Sequence, residues 1–447
     1  MSSSAGQAEF GAAREGAIGV DFGTTNTVVA LASSEGDAQL VSFAHDNEAV
    51  VAFRSALSFH ADIDNPRDRV VEAGPWAIDA YVEEPLETRF IQSFKTYAAS
   101  PLFVHTNVLG RWFRFEDLLS AFLLRLVAHG GADLARLPKR VIVGRPVNFA
   151  GQQPDPELAL SRYELAFRRL GFEEIRYAYE PVAAAFFFAR KLAHDATVMV
   201  ADFGGGTSDF SIVRFRREAG EVRSEALANS GAPVAGDAFD YRIIDHLVSP
   251  ELGKGSSYQA WGHVLPVPAR YYAAFARWEQ LALLRASKDM REIRGLLRTA
   301  LEPERIARLV EILDQNHGYR LYQAVSRLKE TLSSEPEAAF RFAAGDVLIE
   351  KPVRRADFDA WIAPDLAAIA AAADEALARA RLQPGDIDKV FLTGGSSFVP
   401  AVRRLFAERF GEAKLESGGE LVSIATGLAL IGAQRDVDQW AALTAPG

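Results

Sequence analysis

Ala17-Ile18-Gly19-Val20-Asp21-Phe22-Gly23-Thr24-Thr25-Asn26-Thr27-Val28-Val29-Ala30-Leu31 is the stretch from which the rest of this chain is read. An apolar run ends in Asp21, turns through Gly23 and a group of hydroxyl residues, and resumes as a second apolar run. This predicts a β-hairpin whose loop gathers backbone N–H groups, hydroxyls and a carboxylate at one point. One such loop is an ordinary turn, since Gly and Thr are common turn residues. Its weight comes from a second copy, Val198-Met199-Val200-Ala201-Asp202-Phe203-Gly204-Gly205-Gly206-Thr207-Ser208-Asp209-Phe210-Ser211-Ile212-Val213. Two strand–Asp-Phe-Gly–loop–strand units predict a duplicated fold with two phosphate-gripping loops facing each other.

The chain has 447 residues, enough for two or more domains with substantial cores. Hydrophobic residues make up 49% and charged residues 24%, an ordinary globular balance. A net charge of −10 argues against non-specific nucleic-acid or anionic-membrane binding as the main task. With no cysteine, disulfides, thiol nucleophiles and thiolate metal sites are excluded. The small, polar start, with Glu9 and Glu15, has no apolar core of a signal peptide. Val182 to Phe188 is too short to span a membrane and is soon followed by Arg190-Lys191. The expected compartment is the cytoplasm.

Further along, Leu40 to Phe43 is expected as a third strand, and 50–95 mixes short strands with turns. Phe115 to His129 has helical periodicity and stops at Gly130-Gly131. Val141 to Pro146 and Ile175 to Tyr179 are expected strands, and Glu180-Pro181 opens a helix over Val182 to His194. The second half repeats the plan, with the Asp202 hairpin, a strand over Ser224 to Asn229, and a helix after Gly236. Pro266 to Leu332 is nearly all helical in pattern. A strand at Asp388 to Thr393 then feeds Gly394-Gly395-Ser396-Ser397. Interleaved strands and helices imply an α/β fold of two lobes with a cleft between them. The expected division is a tail (1–16), lobe I (17–195, with an inserted part at about 50–140), lobe II (196–434, with a mainly helical insert at about 241–335) and a tail (435–447).

The chemistry-bearing candidates are Asp21, Gly23, Thr24, Thr25 and Asn26 in the first loop, and Asp202, Gly204, Gly205, Gly206 and Thr207 in the second. Such loops cradle phosphate oxygens, and a carboxylate beside them holds Mg²⁺ or its waters. Gly394-Gly395-Ser396, between a buried strand and a helix, is a third turn where a ligand can approach the backbone. Gly253-Lys254-Gly255-Ser256 fails as a Walker motif, because its lysine is not followed directly by Ser or Thr. The eight histidines show no metal-ligand spacing, and no serine sits in a nucleophile elbow.

These phrases, with Tyr179-Glu180-Pro181-Val182-Ala183-Ala184 and Phe391-Leu392-Thr393-Gly394-Gly395-Ser396, resemble the nucleotide-binding domain of the seventy-kilodalton heat-shock chaperones. That domain belongs to the actin, sugar-kinase and chaperone ATPase superfamily, whose fold pairs two ribonuclease-H-like lobes. The likeness runs from about Ile18 to Gln434 and is closest to the YegD-like branch. The resemblance implies that Asp21 and Asp202 hold hydrated Mg²⁺, and that Thr24, Thr25, Asn26 and Gly204 to Thr207 grip the β- and γ-phosphates of ATP or ADP. It implies that Lys95 positions the attacking water, that Glu180 and Thr207 help place metal and water, and that Pro146 relays nucleotide state. Gly236, Lys329, Ser333, Gly394, Gly395, Ser396 and Phe398 would line the adenosine end.

The sequence departs from that family at Ser326 and Glu330, which stand where a Glu and an Arg are expected. Phe398 stands where an adenine-stacking Arg is expected, and an aromatic there stacks without charge. The family's peptide-gripping β-sandwich and lid have no counterpart in this sequence. The expected activity is slow Mg-dependent ATP hydrolysis that controls lobe closure, with a protein client or co-chaperone-like partner and neither nucleic acid nor membrane. A nucleotide-regulated scaffold with little hydrolysis, a small-molecule kinase and an actin-like filament former remain as alternatives.

Overall fold

The opening stretch forms strands β1 (Arg14–Phe22) and β2 (Asn26–Ala32), an antiparallel hairpin in which Asp21 lies opposite Val28. The structure is a computed structural model that describes all residues except 1–13, 34–35, 63–68, 151–152, 190–193, 219–220, 277–280, 282–283, 286, 417–418, 420–421, 435–436, 438–439 and 441–447. Strand β3 (Ala38–Leu40) pairs antiparallel with β2, while β4 (Pro138–Arg145) and β5 (Glu174–Tyr179) extend the sheet in parallel beyond β1. The order is β5-β4-β1-β2-β3. Continuous apolar runs such as Val141-Ile142-Val143, all fully buried, fit strands covered on both faces.

The second half repeats this arrangement. Strands β6 (Ala196–Phe203), β7 (Ser208–Glu218) and β8 (Glu221–Ala232) form an antiparallel meander, and β9 (Lys389–Thr393) and β10 (Leu415–Glu416) add in parallel, giving β8-β7-β6-β9-β10. Asp202 lies opposite Asp209, the offset that Asp21 has to Val28. The sequence repeat is therefore a repeat of backbone register, with both aspartates at the same end of equivalent strands.

Helices α1 (Phe115–His129) and α2 (Pro156–Arg169) cover the first sheet, where Phe22, Phe94, Phe122 and Tyr163 meet in the core. Helix α3 (Glu180–Ala189) follows β5 directly; Pro181 is tolerated in its first turn, and the alanines after it allow close packing. Helices α4 (Gly236–Ile243), α5 (Gly318–Ser334), α6 (Ala363–Ala380), α7 (Pro400–Phe410) and α8 (Ser423–Gly432) belong to the second half of the sequence. Phe406 on α7 packs on Phe203 and Phe210, and α6 lies against β7 and β8.

Helix α8 packs instead on β1, β2 and β4 of the first sheet and crosses α3. Glycine makes the approach possible. A Cβ on Gly427 would stand 1.9 Å from the Ala183 carbonyl oxygen, and one on Gly19 would stand 2.3 Å from the Ala429 nitrogen. Toward the other end of the molecule, Tyr319 on α5 packs edge-on to Tyr81 and Phe90 at 5.9 and 5.7 Å, and Asn316 donates to the Pro85 carbonyl at 2.9 Å. Among the described residues no helix is long and apolar enough to cross a membrane.

Several expectations shift. The third strand is broken: Ala38–Leu40 stays with the sheet, while Phe43–His45 pairs with Glu48–Val50 and turns Phe43 onto Phe53 at 4.7 Å. The Ser224–Asn229 strand extends to Glu221–Ala232. The helix expected to reach His194 is described to Ala189, and 190–193 lie outside the described residues. Just before the helical stretch an unforeseen hairpin pairs Ser257–Ala260 with His263–Pro266.

The α3–α8 crossing yields a prediction. Gly427→Ala should lower stability by about 2 kcal/mol or more, the scale of overpacking a filled site. Gly295→Ala, whose Cβ meets nothing within 4 Å, should be neutral or raise stability by about 0.5 kcal/mol. Urea midpoints of the two variants measure the contrast.

Candidate functional site: two facing loops around a buried lysine

The first loop is braced from behind. Gly23 N–H donates to the Asn26 carbonyl at 3.0 Å, and Ser55 N–H donates to the Thr25 carbonyl at 2.9 Å. The Ser55 hydroxyl donates to the Gly23 carbonyl at 2.7 Å and lies 2.9 Å from Thr27 Oγ1, while Arg54 donates to Asn26 Oδ1 at 3.3 Å. The second loop closes the same way, with Gly204 N–H donating to the Thr207 carbonyl at 2.9 Å. Its brace is the first turn of α4, where Asp237 N–H donates to the Gly205 carbonyl at 2.8 Å. Loop carbonyls are thus tied down from outside. Among the described residues the N–H groups of Thr24, Thr25, Gly205 and Gly206 donate to no protein acceptor. Unspent, convergent N–H groups are what an anion takes up.

The loops meet. A Cβ on Gly205 would stand 2.3 Å from Thr25 Oγ1, whereas one on Gly206 or Gly395 would meet nothing within 4 Å. Contact at one point and open space beside it make a cradle for a small charged group.

Behind the loops sits a charged centre. Lys95 lies in the short turn Phe94–Tyr97, and its Nζ is 2.8 Å from Glu180 Oε1 at the start of α3. Their side chains are only 9% and 10% exposed, although an isolated lysine in sequence is ordinarily a surface residue. Burial pulls the ammonium down, but Glu180, then Tyr163 and Asp21, outweigh it and hold Lys95 above its usual range. The aspartates move upward. Burial first, then Glu180 and Asp202, raise Asp21 well above the carboxylate norm against the pull of Lys95. Burial and Glu180 carry Asp202 to about 6, opposed by Lys95 and by the Thr393 hydroxyl, which donates to its Oδ1 at 2.8 Å. Asp209 reaches about 7 through burial, Asp202 and Glu180, despite a 3.0 Å hydrogen bond from the Thr207 hydroxyl. Asp21 and Asp202 are half-buried as residues.

Four carboxylates share this space with one lysine, an arrangement that a divalent cation relieves. Among the described residues no group of three or more His, Asp or Glu forms a metal cage. A cation at Asp21 and Asp202 would therefore keep most of its water or take ligand oxygens, as Mg²⁺ does beside phosphates.

The remaining expected residues cluster at the other end of the second loop. A Cβ on Gly236 would stand 2.8 Å from Ser396 Oγ and 3.6 Å from Lys329 Nζ. Gly394, at φ +80, passes so close to Phe203 that a Cβ would stand 2.1 Å from its carbonyl oxygen. Lys329 is paired with Asp240 at 2.7 Å. The Ser333 hydroxyl donates back to the Lys329 carbonyl at 2.9 Å, so it is turned onto its own helix. Phe398 is 52% exposed just beyond the Gly394 turn. Lys254 of the rejected Walker stretch is paired with Asp245.

Sequence reasoning did not single out Asp209, Thr393, Ser55 or Asp240. For Asp209 a signal existed: it occupies the position held by Val28 in the first hairpin, a carboxylate where the other copy has an apolar residue. Ser55 and Thr393 act through backbone and side-chain contacts that no spacing announces.

The duplicated sheets and their paired aspartate loops define an actin-like ATPase fold. A family profile described as "Hsp70 protein" matches residues 89–257 and 307–436, well over half of the sequence, and the chain belongs to that family. It is 26% identical over 438 residues to the chaperone protein DnaK of Thermus thermophilus, covering 94% of this chain and 62% of that one. It is 25% identical over 425 residues to DnaK of Deinococcus radiodurans, covering 93% and 59%. DnaK of Thermotoga petrophila is 26% identical over 424 residues, with coverages of 93% and 59%. The chain thus spans about three-fifths of the length of the curated relatives it matches.

The raised aspartates set a pH dependence. Both bind protons more tightly in the folded chain than in the unfolded one. Their stabilising contribution is full below the unfolded value of 3.8 and is lost as pH rises through about 6 for Asp202 and about 7 for Asp209. Without nucleotide or divalent cation, the melting temperature should fall across that window. Asp209→Asn should flatten the fall and leave the variant more stable at pH ~8 by about 1–3 kcal/mol, one pKa unit being worth about 1.4 kcal/mol. Thermal melts across the range measure both effects.

Proposed function

We propose that this chain binds ATP with Mg²⁺ between the two aspartate loops and hydrolyses it slowly, using the difference between nucleotide states to open and close two lobes. The observation that carries this reading is the matched register of Asp21 and Asp202 on hairpins whose loops touch at Thr25 and Gly205. The moving units are taken as the two sheets with the helices packed on them, divided near residue 195 except that α8 stays with the first sheet, and coupled by the crossing of α3 and α8. Bound Mg²⁺ would neutralise phosphate charge during transfer to water.

The chain's own groups have distinct tasks. Asp21 and Asp202 accept hydrogen bonds from the metal's water shell. The N–H groups of Thr24, Thr25, Gly205 and Gly206 take phosphate oxygens, with hydroxyls from Thr24, Thr25 and Thr207 and the amide of Asn26 beside them. Lys95, fixed by Glu180, orients the attacking water; Asp209 and Thr207 hold the far side of that water's hydrogen-bond network. Positioning and charge neutralisation suffice for this chemistry. Gly236, Lys329, Ser396 and Phe398 would enclose the nucleoside, with Phe398 stacking on the base.

The nucleotide state would be read by a protein partner, since family membership and the likeness to DnaK support a chaperone-like role in the cytoplasm. Client grip by further domains of those relatives is no part of this proposal.

The test is direct. Mg-ATP should raise the melting temperature of the purified protein, and the protein should release phosphate slowly in single-turnover assays. Lys95→Ala should keep nucleotide binding yet lose on the order of 10²-fold in phosphate release, the scale of a lost positioning group. An absent thermal shift rejects nucleotide binding. A shift without phosphate release, unchanged in the variant, points to a nucleotide-regulated scaffold.

A further inference from the structure

Helix α2 carries Tyr163 into the core beneath the first loop, where it is fully buried. Its ring packs edge-on to Phe22 at 5.9 Å and lies against Phe115 at 6.0 Å and Phe149 at 6.3 Å. A phenylalanine would serve every one of those contacts. The hydroxyl needs its own explanation, because burying one without a partner costs stability.

Among the described residues Tyr163 Oη has no hydrogen-bond partner, and neither has the buried Nε of Arg145. Arg145 closes β4 with its guanidinium over Phe149 at 5.6 Å and Tyr179 at 4.7 Å, so both orphan atoms belong to residues that pack on Phe149. Tyr163 also shares a neighbour with the charged centre. The Lys95 ammonium sits 6.0 Å from the centroid of Phe22, the ring on which Tyr163 packs. An ammonium has three donors, and Glu180 Oε1 accepts from one of them.

We propose that Tyr163 is a positioning residue for Lys95: its hydroxyl oxygen accepts from the ammonium through one bound water and fixes the lysine between two acceptors. With Glu180 alone, the ammonium can rotate about a single contact. With Glu180 and Tyr163 both engaged, its third N–H is aimed in one direction, toward the loops. Burial raises the phenol above its normal range, so the oxygen works as a neutral hydroxyl. Arg145 Nε supplies a further donor to the same oxygen or water, and a buried water with this many polar partners is well held. The inference rests on the hydrolytic reading of the site.

The test pairs kinetics with a structure. Tyr163→Phe keeps the ring and should slow single-turnover phosphate release by about tenfold while leaving the Kd for Mg-ATP unchanged, a loss confined to the reacting complex. An unchanged rate with a raised melting temperature would mark an idle hydroxyl and overturn the proposal, as would a loss of affinity as large as the loss of rate. A crystal structure of the wild-type protein at a resolution that shows waters gives the second arm. Tyr163 Oη should lie within hydrogen-bond distance of a water that also touches Lys95 Nζ; an Oη with no such water overturns the assignment. That arm needs no nucleotide, so failure of ATP binding would reject the proposed function while Tyr163 is still judged on geometry.

Discussion

A single buried ion pair, Lys95 with Glu180, holds the centre of this molecule in balance. Removing two charges from water costs more than their contact returns unless other groups share the load. Here Asp21, Asp202 and Asp209 add negative charge around the pair, so the lysine stays charged and the aspartates are pushed toward protonation. A core built for stability alone would not collect carboxylates in this way. The strain is electrostatic, and a cation bound there would discharge it.

The two loops reach the same backbone shape by different means. The first is rich in side-chain oxygen, and the segment around Ser55 supports it from one sheet edge. The second is nearly all glycine, and the N-terminus of α4 and the Gly394 turn support it. Backbone symmetry therefore carries chemical asymmetry: the Thr25 hydroxyl fits against Gly205 only because Gly205 has no side chain. Any Cβ at that point would push the loops apart.

Much of this was legible in the sequence because it is local. Alternating and continuous apolar runs announce both hairpins, and α1 begins and ends where periodicity and the Gly130-Gly131 pair place it. What was not legible depends on distance along the chain. Glu180 and Lys95 are separated by two covering helices, and only the family likeness joined them. Asp209 was hidden among the other polar residues of β7, which also carries Ser208, Ser211, Arg214 and Arg216. The break at Val41-Ser42 leaves Phe43 packed on Phe53 with the rings tilted by 55°, a contact between segments that no local pattern announces. At the nucleoside end, the ion pair between Lys329 and Asp240 came from the fold alone.

The position of α8 has a consequence for how the protein comes into being. Strands β1 and β2 leave the ribosome long before the helix that covers one of their faces, which lies at residues 423–432. Until residues 423–432 emerge, that face has no native cover, and Val28, Ala30 and Ala32 are open to non-native partners. Contacts of such long sequence separation are slow to form, and the wait is a period of exposure to aggregation. A member of a chaperone family would thus itself pass through a stage in synthesis when it has most need of one.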